Sequence, residues 1–440
     1  MRQRGEAASA FDEVEERMSG LAYPGIRPGL SRIARLLGVL GHPERSFPAI
    51  HVVGTNGKGS TSVLIESVLR YTGYKTALYT SPHLHHFGER LRMGGRLVDP
   101  ESWHHAIDAV EAALHETGEA PTFFEISTAA AFLLIASENT EVAVVEAGLG
   151  GRLDATNILP RVLVSVLTTI GLDHGEYLGS SLPGVAAEKF AVLRPAGRSC
   201  FAGGNEELES MYQERCAFLK NLGMNLSSSA AWSVKKINQA GTVFDVVLPS
   251  HAYRDLETGL IGRHQAANAV NALAALFLLP REIIPLSEKQ IREGFRKARL
   301  PGRFDIRKIK DGTIILDGAH NPQGTAALVE TVSEVFPGER ISIVFASMGD
   351  KDYRQSLDLL RNLKGDLFLT QVPGMERSAN PGHLLEAAEN QSGWPGGVTV
   401  MESPQHALGE ALKTNGTVLC CGSLYLLAAI LELIEPMEVA

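Results

Sequence analysis

The sequence predicts an α/β protein built on mainly parallel sheets and divided into two domains. Three observations predict it. Short apolar runs rich in β-branched residues recur between Gly and Pro, as strands buried on both faces do. Longer Ala- and Leu-rich segments alternate with them. The alternation breaks at Pro301-Gly302, in "RKARLPGRFDI" (296–306), and then restarts.

In chain order, "AIHVVG" (49–54) reads as a strand, followed by a glycine loop and a helix from Ser60 to about Arg70. "KTALYTS" (75–81) is a second strand, and "EISTAAAFLLIASE" (125–138) is helical. "EVAVVEAG" (141–148) and "RVLVSVLTTI" (161–170) are continuous apolar strands, and "GVAAEKFAVLR" (184–194) is helical. A β-richer or irregular stretch from about 198 to 258 precedes a long helix at 263–279. Past the break, strands at 313–319, 341–347, 366–370 and 417–422 alternate with helices at 322–335, 352–362, 403–413 and 423–435. That region is about 140 residues, the size of one α/β domain.

The 440 residues allow two or three domains, and 44% hydrophobic with 21% charged residues is an ordinary globular composition. A net charge of −9 excludes a global basic surface, so no nucleic-acid partner is expected. Cys200, Cys216, Cys420 and Cys421 form neither a CxxC pair nor a disulfide framework, which suits reduced thiols and a cytoplasmic location. "MRQRGEAASAFDEVEERMSG" lacks the apolar core of a secretory signal, and "LYLLAAILELI" is too short to span a bilayer, so no membrane partner is expected.

"GTNGKGS" (54–60) fails the Walker A spacing, because only Thr55 and Asn56 separate Gly54 from Gly57, and Gly59 separates Lys58 from Ser60. Its context is nevertheless that of a phosphate loop, between a strand and a helix. Small residues let main-chain N–H groups approach phosphate oxygens, Lys58 adds a cation and Ser60 a hydroxyl. The competing reading is a glycine-rich turn with a surface lysine.

"TSPHLHHFGERLRMGG" (80–95) starts at a strand end, on the edge where ligands bind in open α/β sheets. His83, His85 and His86 match no standard zinc spacing, whereas Ser81 offers the kind of oxygen magnesium prefers. Glu146 ends a buried strand beside Gly148, Gly150 and Gly151, where a carboxylate is costly unless paired or on a metal. Asp173-His174 end another strand, and two strand-end acids beside a phosphate loop look like a magnesium site. Glu188-Lys189 read by themselves as an exposed helical pair. Asp317, His320 and Asn321 end a strand of the second region with Pro322 in a helical first turn; a ligand site and a turn cluster explain them equally.

"GTNGKGS", "SPHL…ER", "EAGLGGRLDATN", "TTIGLDHGEYLG", "AAEK", "GRHQAANA", "LPGRFD", "LDGAHNP", "DKD" and "GSLY" occur in this order. Together they resemble the folylpolyglutamate synthase/dihydrofolate synthase family of the Mur ligase superfamily, over about residues 25–430. The shortened loop is that family's own form. The resemblance implies an N-terminal P-loop-type ATPase domain with the folate site (1–298), a linker (299–302) and a smaller Rossmann-like α/β ligase domain (303–440). It implies that ATP phosphorylates a carboxylate and that L-glutamate attacks the acyl phosphate, giving ADP, phosphate and a glutamylated folate or dihydropteroate.

By the same resemblance, Thr55, Asn56, Gly57, Lys58, Gly59 and Ser60 hold ATP phosphates. Ser81, Glu146 and His174 are magnesium positions, for two ions, with room also for a potassium ion. Lys189 matches a lysine that the family carbamylates, and it joins His174, Glu146 and Lys58 as the catalytic set. Asn268, Arg303, Asp317 and His320 are the further ATP-side positions. Thr122, Phe123, Phe124 and Glu125, with Leu153, Asp154 and Ala155, match pterin-facing segments. A monomer whose domains close to exclude water from the acyl phosphate is expected. Two departures stand out: Phe190-Ala191 replaces Ala-Gly after the lysine, and Arg27 stands where bifunctional relatives can carry an acidic pterin contact, which weighs toward polyglutamylation. A cell-wall Mur ligase is disfavoured by the roughly 50 residues before the loop. A P-loop switch is disfavoured by the loop spacing, and a non-catalytic nucleotide module would not need Glu146, His174 and Lys189 together.

Overall fold

The computed structural model describes residues 2–172, 175–280, 284–389, 393–414 and 416–438. The chain divides into two compact units. One comprises Met1–Ser233, Phe244–Thr258 and Ala267–Ala298; the other comprises Val234–Val243, Gly259–Ala266 and Arg299–Ala440.

The first unit holds an eight-stranded sheet. Its strands are β1 (Ala49–Val53), β2 (Thr76–Tyr79), β3 (Leu91–Met93), β4 (Arg96–Leu97), β5 (Val142–Glu146), β6 (Val162–Leu167), β7 (Arg198–Phe201) and β8 (Leu222–Asn225), in the order β4-β3-β2-β5-β1-β6-β7-β8. The run from β2 to β8 is parallel, and β3 and β4 add antiparallel pairings at one edge. Every residue of β1, β2 and β5 is buried, which is why those runs are mostly apolar in sequence, with His51, Thr76 and Glu146 as their polar members. The β1 strand lies between β5 and β6, so the chain leaves β1 toward β2 on one side and later crosses from β5 to β6 on the other. That reversal opens a crevice at the carboxyl ends of the strands.

One hydrophobic core joins the sheet to the helices Arg2–Leu21, Ser31–Val39, Pro100–Thr117 and Phe123–Ser137, through Phe11, Ile33, Trp103, Ile126 and Phe132. A second core gathers Val53, Leu167 and Phe201 with the helices Leu182–Phe190 and Glu206–Leu219, through Val185, Phe190, Leu208 and Tyr212. The helix Glu288–Lys297 packs on the helix Lys58–Tyr71. A Cβ on Gly294 would fall 2.5 Å from Val68 Cα, so the close approach requires glycine there. A small sheet, β9 (Ala231–Asn238), β10 (Gly241–Leu248) and β11 (His251–Thr258), occupies part of the stretch that reads as β-richer or irregular in sequence.

The second unit holds β12 (Asp305–Ile309), β13 (Gly312–Asp317), β14 (Ser342–Phe345), β15 (Leu367–Leu369), β16 (Val398–Val400) and β17 (Thr417–Cys421), in the order β12-β13-β17-β14-β15-β16. Only the β12–β13 pairing is antiparallel. Ile237 and Ile261 join Ile315, Leu328, Phe345 and Leu419 in its core, which ties the two short excursions to this unit. Cys420 and Cys421 are buried thiols in β17. No helix among the described residues is long and apolar enough to cross a membrane.

Phe132 is fully buried, with its ring edge-on to Phe47 and Tyr79 at 5.6 and 6.4 Å. Phe132→Ala is expected to cost the first unit about 3–5 kcal/mol, read as a lowered denaturant midpoint; a loss under about 1 kcal/mol would contradict this packing.

Candidate active site

The glycine loop leaves β1 at the crevice. Gly54 has no room for a side chain, since a Cβ there would lie 1.7 Å from Thr168 Oγ1. Gly57 has φ +87°, and its Cβ would meet Asn268 Oδ1 at 2.3 Å. Asn268 therefore lies against the loop. Between the glycines the loop is tied to the strand end after β6. Thr55 N donates to Thr169 O at 2.8 Å, and Thr169 Oγ1 donates to Asn56 O at 3.1 Å. Thr55 Oγ1 donates to Gly171 O and accepts from Gly171 N, both at 3.0 Å. The helix begins at Lys58, two residues before the sequence places it, with Gly57 as an N-cap that supplies no side-chain partner to the first N–H groups. Those groups and the helix dipole make an anion site, and Lys58 Nζ, 3.1 Å from Thr55 O, folds over the same loop.

Glu146 is the last residue of β5 and only 5% exposed. Parallel pairing with β2 brings the segment after Tyr79 beside it, and Ser81 N donates to Glu146 Oε2 at 3.3 Å. Ser81 and Glu146 thus meet at one strand edge, while His174 lies outside the described residues. Ser81 also precedes a cis Pro82.

Lys189 is not half of an exposed pair. The helix Leu182–Phe190 starts on Ser181, whose hydroxyl accepts from Gly184 N, and buries Val185, Ala186, Lys189 and Phe190. That spacing puts Lys189 on the core-facing stripe. Its ammonium donates to Gly54 O at 2.8 Å and to Gly150 O at 3.5 Å, spanning the phosphate loop and the loop after Glu146. Glu188 bonds Arg152 instead, at 2.8 and 3.0 Å. Phe190 fills the core against Phe201 and Tyr212, with ring centroids 5.3 and 5.7 Å away.

The two segments matched to the pterin side also converge. Thr122 N-caps the helix Phe123–Ser137 in a capping box with Glu125. Phe124 covers Gly148, where an added Cβ would lie 2.7 Å from the ring, and Phe123 packs against Phe87 and beneath Arg90. Glu125 is buried and accepts from Arg32 Nε at 3.1 Å. Leu153 is half-buried, Ala155 joins the core, and Asp154 is buried. Asp154 Oδ2 accepts from Leu149 N at 2.8 Å, and Oδ1 accepts from Thr156 N at 2.9 Å and from the Thr156 hydroxyl. Burial raises its pKa, opposed by those hydrogen bonds. Behind them His51 Nε2 lies 2.8 Å from Thr156 Oγ1.

In the second unit, Asp317 ends β13 and is buried. Its Oδ2 accepts from Phe304 N and its Oδ1 from Ala319 N, both at 2.8 Å. Arg303 Nη1 would lie 2.1 Å from a Cβ on Gly318, and His320 Nδ1 is 2.9 Å from Gly318 O. Asn321 caps the helix Pro322–Val335, with Pro322 in its first turn. Arg303, Asp317 and His320 therefore share one strand end, with Asp317 as the anchor of the turn.

Among the loop histidines, His83 accepts from Arg90 Nε at 3.1 Å, and burial pushes its pKa down to about 3. The ligating atoms of His85, His86 and Glu89 lie within 4.8 Å of one another. Glu89 already receives the main-chain N–H groups of Leu84, His85 and His86, which fastens the loop. Sequence reasoning missed His51, Arg32 and Thr156. A histidine inside "AIHVVG" was the available signal, because a polar side chain in an all-buried strand must find a partner.

The Mur ligase middle domain matches residues 52–276, and the Mur ligase glutamate ligase domain matches residues 302–424. The chain is 32% identical to the dihydrofolate synthase/folylpolyglutamate synthase of Bacillus subtilis (strain 168), over 96% of this chain and 98% of that one. The Mycobacterium tuberculosis folylpolyglutamate synthase complexed with ADP superposes with a TM-score of 0.89 at 29% identity, covering 97% of this chain and 98% of that one. Escherichia coli FolC in complex with DHPP and ADP superposes with a TM-score of 0.85 at 29% identity, covering 98% and 99%.

Gly57→Ala forces a left-handed backbone on a residue with a side chain and drives a Cβ into Asn268. A strain of about 1–2 kcal/mol predicts roughly tenfold weaker ADP binding by calorimetry; unchanged affinity would contradict the loop geometry. Burial pushes His51 down to about 3, with the positive charge of Arg194 acting the same way. Between pH 6.5 and that value the unfolded chain binds a proton that the folded chain does not, so stability falls as pH drops through this window. His51→Gln is expected to flatten the slope by about 1.4 kcal/mol per pH unit, measured by denaturation at pH 5 and 6; an unaltered slope would contradict a neutral His51.

Proposed function

The chain belongs to the Mur ligase family, as a relative of dihydrofolate synthase/folylpolyglutamate synthases over nearly its whole length, and on that premise we propose how its residues divide the work. It is an ATP-dependent ligase that joins L-glutamate to a folate. The observation that carries the assignment of roles is Lys189, whose buried ammonium bonds the phosphate loop at Gly54 and the acceptor-side loop at Gly150.

The N–H groups at the start of the helix Lys58–Tyr71, with Thr55, Asn56, Gly57, Lys58, Gly59 and Ser60, hold the ATP phosphates. Asn268 supports this loop from the side. An oxygen of the acceptor carboxylate attacks the γ-phosphorus, the bond to the ADP oxygen breaks, and an acyl phosphate forms. The glutamate amine then attacks the carbonyl carbon. The tetrahedral adduct loses phosphate and the nitrogen loses a proton, leaving an amide. Little of this needs covalent help from the protein; positioning and charge neutralisation do most of it.

Ser81 and Glu146 offer hard oxygens at one strand edge, so the donor set fits magnesium. With His174 they would hold such an ion, which when bound neutralises phosphate charge. Carbamylation of Lys189, in which the neutral amine bonds carbon dioxide and releases a proton, would turn this cation into a further oxygen donor for a second ion. The potassium ion that the resemblance leaves room for has no residue assigned to it. Phe124, Glu125, Asp154 and their neighbours face the pterin side. Arg27 pairs with Glu119 at 3.0 Å rather than supplying a carboxylate, which supports polyglutamylation as the principal activity, with dihydropteroate as the second acceptor. The ATP-side roles of Arg303, Asp317 and His320 rest on their motif match. A monomer in the cytoplasm completes the reading.

Purified protein is expected to release ADP only when L-glutamate and a reduced folate or dihydropteroate are both present; glutamate-independent release would overturn the ligase assignment. Lys189→Ala is expected to lower turnover by about 100-fold or more while ADP binding persists, and an unimpaired variant would remove Lys189 from the mechanism.

A further inference from the structure

We propose that His51 and Thr156 are positioning residues, holding Asp154 and the glycine loop beside it in register with the phosphate loop. The proposal rests on the reading of Asp154 as an acceptor-side residue, and it extends that reading to two side chains buried behind it.

The hydrogen bonds form a closed circuit. Thr156 has one hydroxyl proton, and it goes to Asp154 Oδ1. Its oxygen must therefore accept from His51, 2.8 Å away, so the proton of His51 sits on Nε2. The other ring nitrogen, Nδ1, is buried without a hydrogen-bond partner, as the lone pair of this tautomer would be. Burial keeps the ring neutral, which preserves the tautomer. Asp154 Oδ2 takes the N–H of Leu149 and so fixes the loop that carries Gly150. Gly150 O receives Lys189, which also bonds Gly54 O, three residues beyond His51 in the same segment. The circuit thus leaves β1 at His51, passes through the acceptor-side loop and the lysine, and returns just past the end of β1.

The side-chain links among His51, Thr156 and Asp154, and from Lys189 to Gly54, are buried and no longer than 2.8 Å; the link from Lys189 to Gly150 O is the longest, at 3.5 Å. Such a network stiffens what it joins and is lost as a unit. It registers two loops that arise from different strands and that must present a phosphate and a carboxylate to each other. A small misplacement of reacting groups is costly in rate and acceptor affinity. A purely space-filling role for the histidine would ask neither for this tautomer nor for a hydroxyl at residue 156.

The test combines kinetics with histidine NMR on the full chain. Thr156→Val keeps the shape and removes the relay. It is expected to raise the KM for the folate acceptor about tenfold, the value of a lost hydrogen bond to a charged group. The KM for ATP should stay within about twofold, and Thr156→Ser should restore the acceptor KM to within about threefold. In 15N-histidine-labelled wild type, the resonance that disappears in His51→Gln should report an Nε2-protonated neutral ring with a slowly exchanging proton. A folded Thr156→Val with wild-type acceptor KM overturns the proposal, and so does a His51 proton on Nδ1. The NMR arm needs only the folded wild type and its assignment variant, so it decides the circuit even if Thr156→Val does not fold. A wild type inert toward folate and glutamate would retire the functional reading separately, leaving the NMR result to stand or fall alone.

Discussion

A lysine ammonium sealed inside the first unit is the constraint on which the site's geometry depends. Lys189 is 3% exposed and hydrogen-bonds the carbonyls of Gly54 and Gly150. A buried cation is tolerated only where oxygen atoms are arranged around it. Meeting that demand draws two glycine loops from two strands onto one side chain. In the helix that carries the lysine, Phe190, next in sequence, packs against Phe201 and Tyr212 and so fixes the helix rotation. The phosphate loop, the acceptor-side loop and the aromatic core are therefore solved together.

Much of this architecture was legible in the sequence because strands buried on both faces announce themselves. β1, β5, β6, β13, β14 and β17 are largely apolar runs, and each falls within one residue of the span that the sequence marks. The strands that were less legible are those at sheet edges and in the small sheet. β3, β4 and β12 pair on the margins, where partial exposure breaks up the apolar signal. The helices Ser31–Val39 and Pro100–Thr117 carry amphipathic spacing, but mixed charge obscured it.

The site was legible as a set of motifs and not as a set of contacts. Glu188-Lys189 looks like a solvated pair until the buried positions 185, 186, 189 and 190 are placed on one helical face. The meeting of Asn268 with Gly57, and of Phe124 with Gly148, joins residues far apart in sequence, and local spacing cannot encode it. In the second unit, Asp317 and His320 stood equally for a turn or a ligand site. Asp317 serves the turn through two main-chain N–H groups, and a carboxylate held in this way keeps its strand end rigid for whatever its neighbours bind.

The glycine loop also sets a limit on portability. A motif of seven residues invites grafting into other strand–helix junctions, but this one is incomplete by itself. Gly54 needs the surface of Thr168, Gly57 needs that of Asn268, and Thr55 is stitched on both sides to Gly171. A transplant of residues 54–60 alone would carry the glycines without the walls that make them necessary, leaving a flexible turn in which the ordering of the phosphate-facing N–H groups is lost. The smallest unit that can be moved is the loop together with the strand end after β6 and one turn of the helix Arg263–Leu278.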